Sequence, residues 1–246
     1  MGEAKRRKKT GDTAPKGQPR SQKPLIIGLG AGVVALVIAI VYVITAPPEP
    51  TSDDLPTASE NAKPFPSQLD QYGVSVGDPD APVVVREFAD YQCPACQQFS
   101  SAAKQLKNTY VDKGQVRFVY FDFPLPQHDN AVPAAMAARC AGDQDNYWAM
   151  HDRLFANQIE WSGSDQPAEI FERYAREMGL ESRRFERCMD TQLHLEDVEQ
   201  SRQIAVQLQI ARTPTVLVDN IRLSRPGWGQ LSAVVERELA EEQSAN

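Results

Sequence analysis

Apolar and polar positions divide the chain into three regimes. Leu25 to Ile44 is an uninterrupted apolar run of twenty residues without a charge. At 1.5 Å per residue such a run reaches about 30 Å, the thickness of a bilayer core, and predicts one membrane-crossing helix over 25–45. Six prolines from Pro47 to Pro66 then stand among Ser, Thr, Asp and Glu. Residues 46–70 are too polar to bury a core of their own, so an extended, solvated tether is expected. From residue 71 to 246 the pattern is that of a folded domain.

Inside that domain the period of apolar positions alternates between strand-like and helical. Val83 to Ala89 reads as a buried strand. Phe99, Ala102, Ala103, Leu106 and Tyr110 recur at helical spacing and predict a helix from Pro94 to about Lys113. Val116 to Phe121 is a second strand, so the first three elements form a βαβ unit. Ala131 to about Ile210 is helical in character, with candidate helices at 131–142, 146–157, 167–178, 182–190 and 195–208. Thr215 to Val218 and Ile221 to Leu223 flank a turn at Asp219-Asn220, and an amphipathic helix from Trp228 to about Glu242 closes the chain. The predicted order is β-α-β, a helical block, then β-β-α: an α/β class.

Charge refines this picture. Residues 1–24 carry eight Lys or Arg and two acids, whereas the whole chain is at −7. A basic leader before an apolar span should stay cytoplasmic, which puts the domain outside a single-pass anchor. Cleavage of the leader and apolar run as a signal peptide is the rival reading; the run exceeds the usual 7–15 residues and ends on a poor cleavage pattern at Ile44-Thr45-Ala46. The acidic remainder offers no basic face, which argues against a nucleic-acid partner.

Four cysteines carry the candidate chemistry. Cys93-Pro94-Ala95-Cys96 follows a strand and opens a helix, where backbone N–H groups and the helix dipole favour a thiolate at Cys93. Pro94 suits the first helical turn, where a missing N–H costs nothing. Outside the cytoplasm thiols can remain oxidised, which leaves Cys140 and Cys188 as a second, structural pair. Two buried free thiols, or a pair that passes electrons, are the alternatives. A metal half-site also uses Cys-x-x-Cys, but no second such motif or His pair completes it, and no metal is expected. His128, His151 and His194 read as packing or surface residues.

Several separated motifs, in order, resemble one family. They are Glu87-Phe88-Ala89-Asp90-Tyr91-Gln92 leading into the Cys-x-x-Cys, Phe123-Pro124-Leu125 with His128, Ala137-Ala138-Arg139-Cys140, Tyr147 to Phe155, and Thr213 to Val218. From about Gly73 to Ala240 the chain resembles the DsbA-type thiol–disulfide oxidoreductases of the thioredoxin superfamily. The resemblance implies a thioredoxin fold with a helical domain inserted at about 128–210, here preceded by one transmembrane helix. It implies that Cys93 is the exposed nucleophile, that Cys96 resolves, and that the two form the active-site disulfide. Glu87 would manage the proton of the buried thiol. Thr213 and a cis Pro214 would bind the substrate backbone.

The expected activity is donation of the Cys93–Cys96 disulfide to cysteines of secreted or membrane proteins, with a membrane oxidase restoring it and no cofactor in the chain itself. Two rivals remain at this point. One is a reductase or isomerase of the same fold, since Pro94-Ala95 departs from the Pro-His of the best-known oxidases. The other is a dithiol module that binds a soft metal.

Overall fold

The computed structural model describes residues 55–58 and 64–245. The basic leader, the apolar run at 25–45 and most of the tether lie outside the described residues. Among the described residues no helix is long and apolar enough to cross a membrane.

A mixed five-stranded sheet organises the domain. Its strands are β1 (Val74–Val76), β2 (Val83–Ala89), β3 (Val116–Asp122), β4 (Thr215–Val218) and β5 (Ile221–Arg222), standing in the order β1-β3-β2-β4-β5. Only β2 and β3 are parallel, as their helical crossover requires. Both are buried along nearly their whole length, which explains their near-continuous apolar sequences. The helices are α1 (Pro94–Thr109), α2 (Ala131–Gly142), α3 (Tyr147–Ala156), α4 (Gln158–Trp161), α5 (Pro167–Glu177), α6 (Ser182–Asp190), α7 (Leu195–Gln207) and α8 (Trp228–Ala245).

Strand alternation assigns the two faces. Val83, Val85, Val116 and Phe118 pack under α1 and α8, with Leu106, Leu231 and Val235 filling the layer. Further along the same face, Ala89 and Tyr120 meet the helical insertion through Ala134, Ala138, Met150 and Phe155. Phe88, Val119 and Phe121 cover the opposite face against Ile204 and Ala205 of α7. The architecture is a thioredoxin fold with an inserted helical subdomain.

Three expectations change. The helix at 195–207, counted with the insertion at 128–210, keeps Leu195 and Val198 with the insertion's core but also covers the back of the sheet with Ile204 and Ala205. The pattern of apolar positions does not predict β1 or the 3-10 helix Ser67–Tyr72, because three residues with a serine in the middle carry little periodicity. Gly77 ends β1 at φ +105°, where a Cβ would stand 2.6 Å from the Val116 carbonyl oxygen.

The third change concerns the tether. Residues 65–70, expected to be solvated, are packed on the domain. Arg86 points to the back of the sheet and is buried, so its charge needs a partner. Asp70 supplies both oxygens, Nε to Oδ1 at 2.7 Å and Nη2 to Oδ2 at 2.8 Å, and the Phe65 ring lies 4.1 Å below the guanidinium. Upstream, the Pro56 carbonyl accepts from Arg237 on α8 at 3.0 Å, and Leu55 packs against the core under α8.

Candidate active site

Cys93 is the N-cap of α1, with extended backbone angles, and Pro94 follows at the first helical position. The Cys93 carbonyl accepts from the Cys96 and Gln97 amides, both at 3.1 Å, so the turn brings the two thiols together. Both are free thiols in this structure. Cys96 is fully buried, and Cys93 is only 8% exposed, less than the sequence suggests. The loop before β4 shields it: the Thr213–Pro214 bond is cis, and the Cys93 thiol lies 3.8 Å from the Thr213 carbonyl oxygen.

The two sulfurs have opposite electrostatics. The Cys93 thiol is pulled down from 9.0 to about 5, chiefly by a hydrogen bond from the Cys96 thiol. Burial opposes this, while Thr213 and the backbone N–H groups of Cys96 and Ala95 support it. The Thr213 hydroxyl is buried and has no other partner, which leaves it to the Cys93 thiolate. Cys96 is pushed far up, first by burial, then by its bond to Cys93 and by the nearby Glu87 carboxylate. One proton is therefore held tightly and the other loosely.

Glu87 lies on β2, buried, with neither carboxylate oxygen hydrogen-bonded. Burial raises it from 4.5 to about 8, with Lys107 opposing. Its neighbour Arg86 is buried as well, but on the other face and paired. Both charged residues of the strand are thus interior, one neutralised by Asp70 and the other by holding a proton.

Several positioning residues make contacts that the sequence motifs do not reveal. The Asp90 carboxylate accepts from the Gln92 and Leu125 amides at 2.6 and 2.8 Å and stands 2.7 Å from His128 Nδ1. His128, expected only to pack or to face solvent, therefore ties the loop after β3 to the Cys93 turn. Gln158 reaches in from α4 and donates to the Tyr91 and Cys93 carbonyls at 2.6 and 3.0 Å. Gln92 donates to Ser162 and accepts from the Asn130 amide, both at 2.7 Å. Gln92 and Asn130 lie in loops and Gln158 opens the four-residue helix α4, where no periodicity marks them. Beside Cys93, an open cleft is lined by Gln98, Phe99, Arg212, Thr213, Pro214 and Pro226.

Cys140 on α2 and Cys188 on α6 form a disulfide with Cα atoms 5.8 Å apart, closing a separation of 48 residues within the insertion. His194 comes close to those sulfurs, paired to Asp143 and Asp197 at 3.0 and 2.7 Å. Among the described residues that is the grouping of Cys, His and acids tight enough to share a metal ion, and its two sulfurs are already bonded to each other.

Residues 70–237 match the family profile described as Thioredoxin. The chain belongs to the thioredoxin family. Within that family it is a DsbA-like thiol–disulfide oxidoreductase, and Cys93 and Cys96 are its buried Cys-x-x-Cys pair. Over 171 residues it is 30% identical to the probable disulfide bond formation protein D of Bacillus cereus, covering 67% of this chain and 78% of that protein. Its fold is similar to that of oxidised BdbD from Bacillus subtilis, with a TM-score of 0.63 at 23% identity, covering 75% of this chain and 98% of that one. A thioredoxin-like oxidoreductase from Silicibacter pomeroyi superimposes with a TM-score of 0.57 at 27% identity, covering 70% of this chain and 96% of the other.

Proposed function

We propose that this oxidoreductase works as a disulfide donor on the outer side of a cell membrane. Residues 1–24 would be the cytoplasmic leader, 25–45 the anchor, and the chain up to about residue 64 the tether. The support is the apolar run and the basic cluster before it, together with the oxidised Cys140–Cys188 pair, which suits a compartment outside the cytoplasm. Cysteine-containing secreted or membrane proteins would be the substrates, and a membrane oxidase would restore the disulfide.

The observation that carries the direction of transfer is the low position of the Cys93 thiol, near 5. At neutral pH the reduced form gains the stability of a thiolate that the disulfide cannot have. Reduction of the disulfide is thereby favoured, and the disulfide becomes an oxidant. A substrate thiolate attacks Cys93 Sγ, the S–S bond breaks, and Cys96 leaves with the electron pair and takes up a proton. A second substrate thiol then attacks the substrate's own sulfur, and Cys93 departs as a stabilised thiolate. Thr213 and Pro214 would hold the substrate backbone beside Cys93. Glu87 would exchange the Cys96 proton.

Equilibration of the full chain with a glutathione redox buffer tests this reading. A potential close to about −120 mV is expected, and one close to about −270 mV would assign the chain to reduction instead.

A further inference from the structure

Away from the dithiol, the end of α2, the end of α6 and the start of α7 bring metal-ligating side chains together. Cys140 lies on α2 and Asp143 caps that helix, Cys188 lies on α6, and His194 is the N-cap of α7. The Cys140 and Cys188 sulfurs and a ring nitrogen of His194 all lie within 4.8 Å of one another. Asp143 Oδ2 stands 3.0 Å from His194 Nε2 and 3.7 Å from Cys188 Sγ, which adds a fourth donor atom.

The other imidazole nitrogen is already held. His194 Nδ1 lies 2.7 Å from Asp197 Oδ2, in the first turn of α7. A carboxylate on Nδ1 is the usual outer partner of a metal-bound imidazole: it fixes the ring and leaves Nε2 for the ion. The loop that carries His194 is tied down as well. The Leu193 amide donates to the Cys188 carbonyl at 3.1 Å, and the Thr191 hydroxyl donates to the Arg187 carbonyl at 2.8 Å.

Access and charge both bear on what happens when the bridge opens. Cys188 forms part of the wall of an open cleft with Asp143, Arg184, Arg187, Thr191 and Leu193, whereas Cys140 is buried behind it. An incoming thiolate therefore reaches Cys188 Sγ first. Opening the S–S bond would place two thiolates beside Asp143 and Asp197, with Arg184 and Arg187 the cations on the cleft wall. A divalent cation closes that balance. Thiolate and imidazole donors select zinc-like ions over Ca2+ and Mg2+. Zinc–sulfur bonds of about 2.3 Å in a tetrahedral site put two sulfurs about 3.8 Å apart. Rotation of the freed side chains allows this between Cα atoms 5.8 Å apart.

We propose that reduction of the Cys140–Cys188 bridge uncovers a zinc site made of Cys140, Cys188, His194 and Asp143, with Asp197 orienting the imidazole. A small dithiol supplies the two electrons. One of its thiolates attacks Cys188 Sγ, the S–S bond breaks, and Cys140 leaves with the electron pair. The second thiolate of the reductant attacks the reductant's own bonded sulfur, closes its disulfide and releases Cys188. The two protein thiols, protonated at the reductant's expense, give both protons to solvent as they bind Zn2+. A coordinate bridge then replaces the covalent one, so α2 and α6 stay joined in either redox state. The site shares no residue with the Cys93–Cys96 dithiol and stands apart from the disulfide-donor proposal.

The test uses the full chain with Cys93→Ser and Cys96→Ser, which removes the other two thiols. It is reduced anaerobically with dithiothreitol, freed of reductant and titrated with Co2+, whose visible and near-ultraviolet bands report tetrahedral thiolate coordination. A single equivalent should bind with those bands, Zn2+ should displace it, and the unreduced chain should show none. Adding His194→Gln or Asp197→Asn should weaken Co2+ binding by about tenfold or more. Zn2+ should also raise the melting temperature of the reduced chain, and raise it less in reduced His194→Gln. This second readout holds even where reduction loosens the insertion. Absence of tetrahedral bands in the reduced chain overturns the proposal. So does binding, or a rise in melting temperature, that His194→Gln leaves unchanged, since the ion would then be held by thiols without a built site. Equal binding by the unreduced chain would put the ion elsewhere and overturn it too.

Discussion

Cys93 Sγ and the Thr213 carbonyl oxygen lie 3.8 Å apart, although 120 residues separate them in the chain. The helix α1 and the loop before β4 meet at this point because β2 and β4 are neighbours, with Phe88 opposite Thr215. Sheet topology therefore builds the site. It puts an open backbone edge beside a sulfur whose charge is stabilised from the helix side.

Because the Cys96 thiol is the largest stabiliser of the Cys93 thiolate, Cys96→Ala should weaken that thiolate. The Cys93 thiol should rise to about 6–7, read from thiolate absorbance against pH. Persistence near 5 in this variant would shift the credit to the backbone amides and Thr213.

Glu87 gives a pH signature in stability. Between about 4.5 and 8 the folded dithiol protein keeps a proton that the unfolded chain releases, so stability is lost as pH rises through that window. Glu87→Gln removes the cost. It should raise the melting temperature of the reduced protein at about pH 8 by roughly 5–10 °C relative to native and give no comparable gain at about pH 4. Equal gains at both values would mean that Glu87 acts on packing rather than through its charge.

The Cys140–Cys188 bridge closes a loop across 48 residues, worth about 4 kcal/mol by chain entropy. A double Ala variant should melt lower by roughly 10 °C while its Cys93–Cys96 exchange rates stay native. A folded double variant without exchange would give the pair a part in the chemistry.

Asp70→Ala leaves the Arg86 guanidinium buried without its carboxylate. A loss of about 3–5 kcal/mol in urea unfolding is expected. Charge removal on both sides, in Asp70→Ala with Arg86→Met, should recover much of it. A neutral Asp70→Ala would mean that residues 65–70 are not part of the folded domain.

The central strands, α1 and the helices of the insertion are legible in the sequence because burial imposes a period on them. Cys93, Cys96 and Thr213-Pro214 are legible as local motifs. Asp70 is not: its partner Arg86 sits in an apolar strand, and only the strand's two-sided burial shows that the charge must be matched from upstream. Asn130 and Gln158 escape for a related reason, and Asp90 and Gln92 stand in a motif that does not show their partners. Their work is to satisfy backbone groups in irregular segments, and such contacts join residues far apart in sequence without any repeat. His151 looks like one more aromatic at helical spacing, and its pairing with Asp152 through Nδ1 is not visible in that pattern.

The central claim is that Cys93 is a thiolate at neutral pH. Its most direct measurement is the rate of iodoacetamide alkylation at Cys93 in the reduced native chain, followed from about pH 3 to 10. The rate should rise to a plateau with its midpoint near pH 5. A midpoint close to the ordinary thiol value of about 8.5 would contradict the account.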